Sequence, residues 1–153
     1  MLKLFGGLFL SLTAVDMGVK QYVEDEFDKK EERETIIPKV VMRKVYNKGF
    51  AFNLLDKYPQ IIRWSSAILT AVIAGYDVCL FSRKGRLLEK LGLVFVSAGA
   101  FSNTFDRLIR GKVIDYIGFK SKWKKVRTTT ANLADFYVAI GAVLYLIANS
   151  FKK

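Results

Sequence analysis

Four stretches of this chain, at roughly 4–23, 60–81, 91–109 and 131–151, are each about twenty residues long and predominantly apolar. At about 1.5 Å per helical residue, about twenty residues cross a hydrocarbon core of about 30 Å. Lipid offers no water to a bare N–H or C=O, so each stretch must fold as a helix that satisfies its own backbone. In a chain of 153 residues these stretches leave little else, and the 52% hydrophobic content and mean hydropathy of +0.20 agree. The expected fold is an all-α membrane protein, with four transmembrane helices in a single integral membrane domain over residues 1–153. The opening "MLKLFGGLFLSLTAVD" has the basic start of a cleaved leader. Its apolar run is too long, however, and lacks a small-residue cleavage pattern, so it reads as a retained span.

The 25 Lys and Arg against 14 Asp and Glu give a net charge of +11. In a soluble chain that excess would point to nucleic acid. In a membrane chain basic loops meet anionic headgroups, so the expected partner is membrane lipid and not nucleic acid. The cluster "KSKWKKVR" at 120–127 fits this, with Trp123 as an interfacial anchor. Four spans put both termini on one side, together with Arg83, Lys84, Arg86 and Lys90, and that side is cytoplasmic by the positive-inside rule. Seven further basic residues between 110 and 127 lie on the other side and dilute the asymmetry.

The loop at 24–58 divides in two. "EDEFDKKEERE" is a solvated charge run, expected as a helix end or coil. "IIPKVVMRKVYNKGFAFNLL" is rich in β-branched and aromatic residues around Asn47-Lys48-Gly49 and reads as strand, turn, strand. A small extracytoplasmic β-rich cradle is expected at about 36–55.

Alternating spans allow depth to be read from position. Asp16 and Lys20 fall toward the outer end of the first span, Asn103, Asp106, Arg107 and Arg110 in the outer turns of the third, and Asn132 and Asp135 in the first turns of the fourth. All lie near the outer interface, whereas Asp77 sits at the opposite end of its span. Positions 103, 106, 107 and 110 follow i, i+3, i+4, i+7, and 132 with 135 is another i, i+3 pair, so each set shares a helix face. Charged groups in a span face a bundle interior or water, so these sets should face each other.

The chain has no histidine and a single cysteine, Cys79, which removes the usual metal ligand, the usual general base and any internal disulfide. No metal and no cofactor are expected. Asp16 with Lys20, and Asp106 with Arg107 and Arg110, are explicable as structural ion pairs. Asp115 and Asp135 resist that explanation, because "KVIDYIGF" and "ANLADFYVAIG" place no basic residue beside them. Two carboxyls a few ångströms apart share a proton, so that one serves as base toward water while the other polarises a carbonyl. Asn47, Asn103 and Asn132 are neutral groups suited to hold a peptide or an oxyanion. On residue chemistry alone, a paired-carboxylate site and a helix-end charge network both remain open.

The order of motifs resembles signal peptidase II, the bacterial lipoprotein signal peptidase family of membrane aspartyl proteases. The resemblance runs through Asp16 and Lys20, "YNKGFAF" with Asn47 and Gly49, "SNTFDR" with Asn103, Asp106 and Arg107, "VIDYI" with Asp115, and "NLAD" with Asn132, Ala134 and Asp135. It implies Asp115 and Asp135 as the catalytic dyad, with the other residues lining or supporting the pocket. It further implies a diacylglyceryl prolipoprotein substrate cut before its lipidated cysteine, a bacterial cytoplasmic membrane location, a monomer, and block by the cyclic lipopeptide globomycin. Three positions depart from the family pattern: Ser102 stands where glycine is usual, Ala131 where an aromatic is common, and Phe50 at a small position. These bear on helix packing and substrate preference more than on chemistry.

Two other classes fit part of the pattern. A small transporter or channel subunit would need polar groups through the full depth of the membrane, yet "LFGGLFLSL" and "VLYLIAN" are almost wholly apolar. A catalytically inactive structural relative would not need both Asp115 and Asp135.

Overall fold

The computed structural model describes residues 2–29, 31–49 and 57–150. In chain order these form α1 (Leu2–Glu26), β1 (Glu32–Glu34), β2 (Val40–Asn47), α2 (Pro59–Phe81), α3 (Leu87–Ile109), β3 (Val113–Phe119), α4 (Lys124–Thr128), β4 (Thr130–Ala131) and α5 (Leu133–Ser150). The protein is mostly helical. Among the described residues, α1, α2 and α5 are long and apolar enough to cross a membrane. Their outward faces carry bare apolar side chains, including Leu10, Ile68, Val72, Val143 and Leu146. Such a surface suits hydrocarbon and not water.

Helix α3 has the length of α2, 23 residues, but its apolar character is diluted by Glu89, Lys90, Asn103, Asp106 and Arg107. It is the most enclosed helix, packing against α1, α2 and α5. Its contact with α5 is backbone on backbone. A Cβ at Gly99 would lie 2.3 Å from the Ala134 carbonyl oxygen, and one at Gly141 would lie 2.4 Å from that of Gly92. The pairs 92/141 and 99/134 lie seven residues apart on each helix, so one stripe of small residues sets the approach along two turns. Gly111, at φ +72, ends α3 and turns the chain into β3.

The four strands form one antiparallel sheet in the order β1-β2-β3-β4. This differs from expectation in two places. Part of the charge run, Glu32–Glu34, is an edge strand and not coil, carried there by pairing with β2. The main partner of β2 is β3, more than sixty residues away, which the sequence had suggested only as loop. The second strand of the expected hairpin, and with it Phe50, lies outside the described residues. Helix α5 begins at Leu133 because Thr130–Ala131 is drawn into the sheet against Ile117 and Gly118.

Between Met42 and Val45 the register shifts: Met42 faces Ile117 but Val45 faces Asp115, so β2 carries one extra residue. Directly opposed residues share a sheet face, and a one-residue slip exchanges faces. Without this bulge Asn47 would point away from Asp115; with it, Asn47 pairs with Val113 on the Asp115 face. On the other face, Ile114 and Tyr116 pack with Val23 near the C-terminal end of α1 and with Phe27 just beyond it.

Candidate active site

Strand alternation and a helix cap deliver the two carboxyls. On β3, Val113 and Asp115 face a cleft while Ile114 and Tyr116 face the core. Asp135 is the third residue of α5, and Asn132 is the residue before that helix. The Asp135 N–H donates to Asn132 Oδ1 at 3.0 Å, and the Asn132 N–H donates to Asp135 Oδ2 at 3.1 Å. This is a capping box built from asparagine and aspartate. The next free amides of the helix end are also satisfied: Leu133 N–H donates to the Tyr116 hydroxyl at 3.1 Å and Ala134 N–H to Asp16 Oδ1 at 3.1 Å. Burial pushes the Tyr116 phenol up, with the Asp16 charge adding to it, so the hydroxyl stays protonated and donates to Asp16 at 2.9 Å.

Asn132 joins the carboxyls. Its Nδ2 donates to Asp115 Oδ1 at 2.7 Å, and Asn47 Nδ2 donates to Asp115 Oδ2 at 3.0 Å. Asn103 Nδ2 donates to Asp135 Oδ1 at 2.9 Å. Asp115 is 3% exposed whereas Asp135 opens to solvent. Burial first, then the neighbouring Asp135 charge, pushes the Asp115 carboxyl up to about 7 against the pull of its two asparagine donors. Both carboxyls line a cleft of about 390 Å³ with Asn47, Asn103 and Arg107.

Beneath the cleft lies a buried ionic cluster. Lys20, Asp16 and Asp106 are at most 1% exposed, with Lys20 Nζ 2.7 Å from Asp16 and 3.2 Å from Asp106. The same ammonium donates to Asn103 Oδ1 at 2.8 Å and to Ser102 Oγ at 3.1 Å. Asp106 also pairs with Arg110 at 3.3 Å, so it belongs to the scaffold under the carboxyl pair. Arg107 turns the other way, to the Gly49 carbonyl at 3.1 Å, and clasps the end of β2 to α3. Ala134, with no exposed surface, leaves room for Gly99.

The residues singled out from the sequence therefore gather around one cleft, while Asp77 bonds Ser97 at 2.6 Å in the other half of the bundle. Tyr116 was missed; its signal is its place one step along the strand from Asp115, opposite in face. Ser102 was read as a departure affecting packing, but it is fully buried and donates to Asp16 at 2.5 Å. Ala131 lines the cleft wall with Thr130 and Val138. Among the described residues, no three of His, Cys, Asp or Glu gather to hold a metal ion.

Two solved structures described as bacterial membrane enzymes share this fold. One has a TM-score of 0.84 at 21% identity, covering 98% of this chain and 89% of the other; the second has a TM-score of 0.82 at 21% identity, covering 100% and 96%. Among curated relatives, the lipoprotein signal peptidase of Aeromonas hydrophila is 32% identical over 111 residues, 71% of this chain and 65% of that protein. The match thus spans a little under two thirds of that relative's length. The lipoprotein signal peptidase of Neisseria gonorrhoeae is 31% identical over 144 residues, 93% of this chain and 86% of its own. The family model for signal peptidase (SPase) II matches residues 8–151, and over that nearly complete length the chain belongs to the signal peptidase II family.

Proposed function

We propose that this chain is an aspartic endopeptidase that removes the signal peptide from diacylglyceryl prolipoproteins by cutting just before the lipidated cysteine. The observation that carries the reading is the pairing of a buried carboxyl, Asp115, with an open one, Asp135, through the single side chain of Asn132. Family membership supplies the substrate class. Asp115, its carboxyl pushed up to about 7, carries a proton in about half the molecules at neutral pH, and that form donates it to the scissile carbonyl oxygen. Asp135 takes a proton from water as the water oxygen attacks the carbonyl carbon. The tetrahedral adduct then collapses: one of its hydroxyls returns a proton to Asp115 as C=O re-forms, the C–N bond breaks, and the departing nitrogen receives the proton from Asp135. Asn47, Asn103, Asn132 and Arg107 orient the pair and the peptide, while Asp16, Lys20 and Asp106 support them from below.

The same reading makes α3 a fourth span, shielded by α1, α2 and α5, in one integral membrane domain. Both termini then face the cytoplasm, and the cleft opens near the outer face of a bacterial cytoplasmic membrane. The protein acts as a monomer with lipid around it. The direct test is a gel-shift assay with the purified chain and a diacylglyceryl prolipoprotein. Cleavage before the modified cysteine, blocked by globomycin and indifferent to chelators, is the expected result. An uncleaved substrate, or activity lost with a chelator, overturns the reading.

A further inference from the structure

Three asparagines surround the carboxyl pair, and each has its amide oxygen engaged by a group that can only donate. Lys20 Nζ donates to Asn103 Oδ1 at 2.8 Å, Gly49 N–H to Asn47 Oδ1 at 2.9 Å, and Asp135 N–H to Asn132 Oδ1 at 3.0 Å. An ammonium and a main-chain N–H have no lone pair to offer. Rotating any of these amides by half a turn would set NH₂ against a donor on one side and oxygen against a carboxyl oxygen on the other. The amide orientations are thus not interchangeable, and every NH₂ is directed at a carboxyl: Asn47 and Asn132 at the two oxygens of Asp115, Asn103 at Oδ1 of Asp135. The remaining oxygen, Asp135 Oδ2, takes the Asn132 N–H. All four carboxyl oxygens therefore meet N–H donors.

We infer that Lys20, the Gly49 N–H and the Asp135 N–H are positioning groups that lock the three asparagines as pure donors, so that a proton on the pair can be shared only with the partner carboxyl, water or a substrate carbonyl in the cleft. The inference rests on the proposed protease reading and deepens it. A collar that could also accept would draw the acid proton sideways, away from the peptide. Lys20 acts on Asp135 through Asn103, which gives the buried cation a task beyond balancing Asp16 and Asp106.

Asparagine and aspartate are nearly isosteric but opposite in hydrogen-bond polarity, which separates this idea from simple space filling. In the purified full chain at pH 7, with a diacylglyceryl prolipoprotein, Asn47→Asp should lower kcat at least about tenfold further than Asn47→Ala, with KM little changed. An Asn47→Asp enzyme as active as Asn47→Ala, or more so, overturns the lock. A second measurement needs no cleavage. Gly49→Pro removes the locking N–H and leaves the Asn47 side chain, so an infrared titration of the Asp115 carboxyl should move upward from about 7, as it should in Asn47→Ala. The two changes combined should give no further shift. The charged groups facing Asp115 are Asp135 from α5 and Lys20 from α1, with Arg107 of α3 on the same cleft; neither variant replaces any of them, and proline at 49 keeps the carbonyl that accepts from Arg107. An unmoved midpoint in Gly49→Pro overturns the inference even if the cleavage assay succeeds. An absent cleavage activity in the native chain, with the midpoint shifted, sinks only the functional reading.

Discussion

Asn132 and Asp135 cap each other across the first turn of α5, each main-chain amide donating to the other's side chain at 3.0 and 3.1 Å. The Nδ2 of the same Asn132 donates to Asp115 Oδ1. A local device for starting a helix thereby fixes the spacing of two carboxyls that come from different elements of the fold.

Removing either carboxylic acid while keeping its shape should stop catalysis. Asp115→Asn and Asp135→Asn are each expected to lower kcat by about 10³-fold or more, with the protein still folded in detergent. In the proposed mechanism the two act as one unit, so the double variant should be scarcely worse than either single one. Side-by-side single-turnover assays check this. Near-normal cleavage by either single variant would remove that residue from the dyad.

The pH dependence follows from Asp115. With its carboxyl at about 7 and the protonated form required, kcat/KM should fall as pH rises through 7, about tenfold per unit above it. Asn47 donates to the ionised form and so lowers this value; Asn47→Ala should move the falling limb to higher pH. A profile flat from pH 6 to 9 would show that Asp115 is not the acid.

The Lys20 cluster should govern stability as well as activity. Lys20→Met leaves Asp16 buried without its cation and Asp106 with Arg110 alone, and is expected to cost about 3–5 kcal/mol. Adding Asp16→Asn and Asp106→Asn removes the uncompensated charges and should recover part of that loss. Thermal unfolding in one detergent, read for all three proteins, decides it; an unaltered Lys20→Met midpoint contradicts the cluster.

Close packing of α3 on α5 makes a distant glycine matter to the site. Gly99→Ala drives a methyl into the Ala134 carbonyl, one residue before Asp135, and should cost about 1–3 kcal/mol together with most of the activity. Gly18→Ala meets nothing within 4 Å and should be neutral or stabilising by about 0.5–1 kcal/mol. Melting temperature and cleavage rate of the two variants are compared directly.

Sidedness is testable by labelling. In a Cys79→Ser background, Lys48→Cys and Lys122→Cys should react with an impermeant maleimide from outside intact cells, and Lys84→Cys only after permeabilisation. The reverse pattern inverts the arrangement.

What could be read from the sequence was what local physics dictates. Apolar runs of bilayer length must be helices because lipid satisfies no backbone group, and the i, i+3, i+4 spacing of Asn103, Asp106 and Arg107 forces them onto one face. The Asn132–Asp135 cap is likewise contained within four residues. The β3 strand was not legible, since its partner β2 lies far away in the chain and strand pairing is a tertiary contact. Nor was the bulge between Met42 and Val45, although that single extra residue brings Asn47 to the face of Asp115. Ser102 illustrates the same limit: its hydroxyl acquires meaning only where α1 brings Asp16 and Lys20 against α3. Helix identity and facing are properties of neighbouring residues, whereas register, bulge and the polarity of each asparagine depend on groups that only the folded chain brings within hydrogen-bond reach.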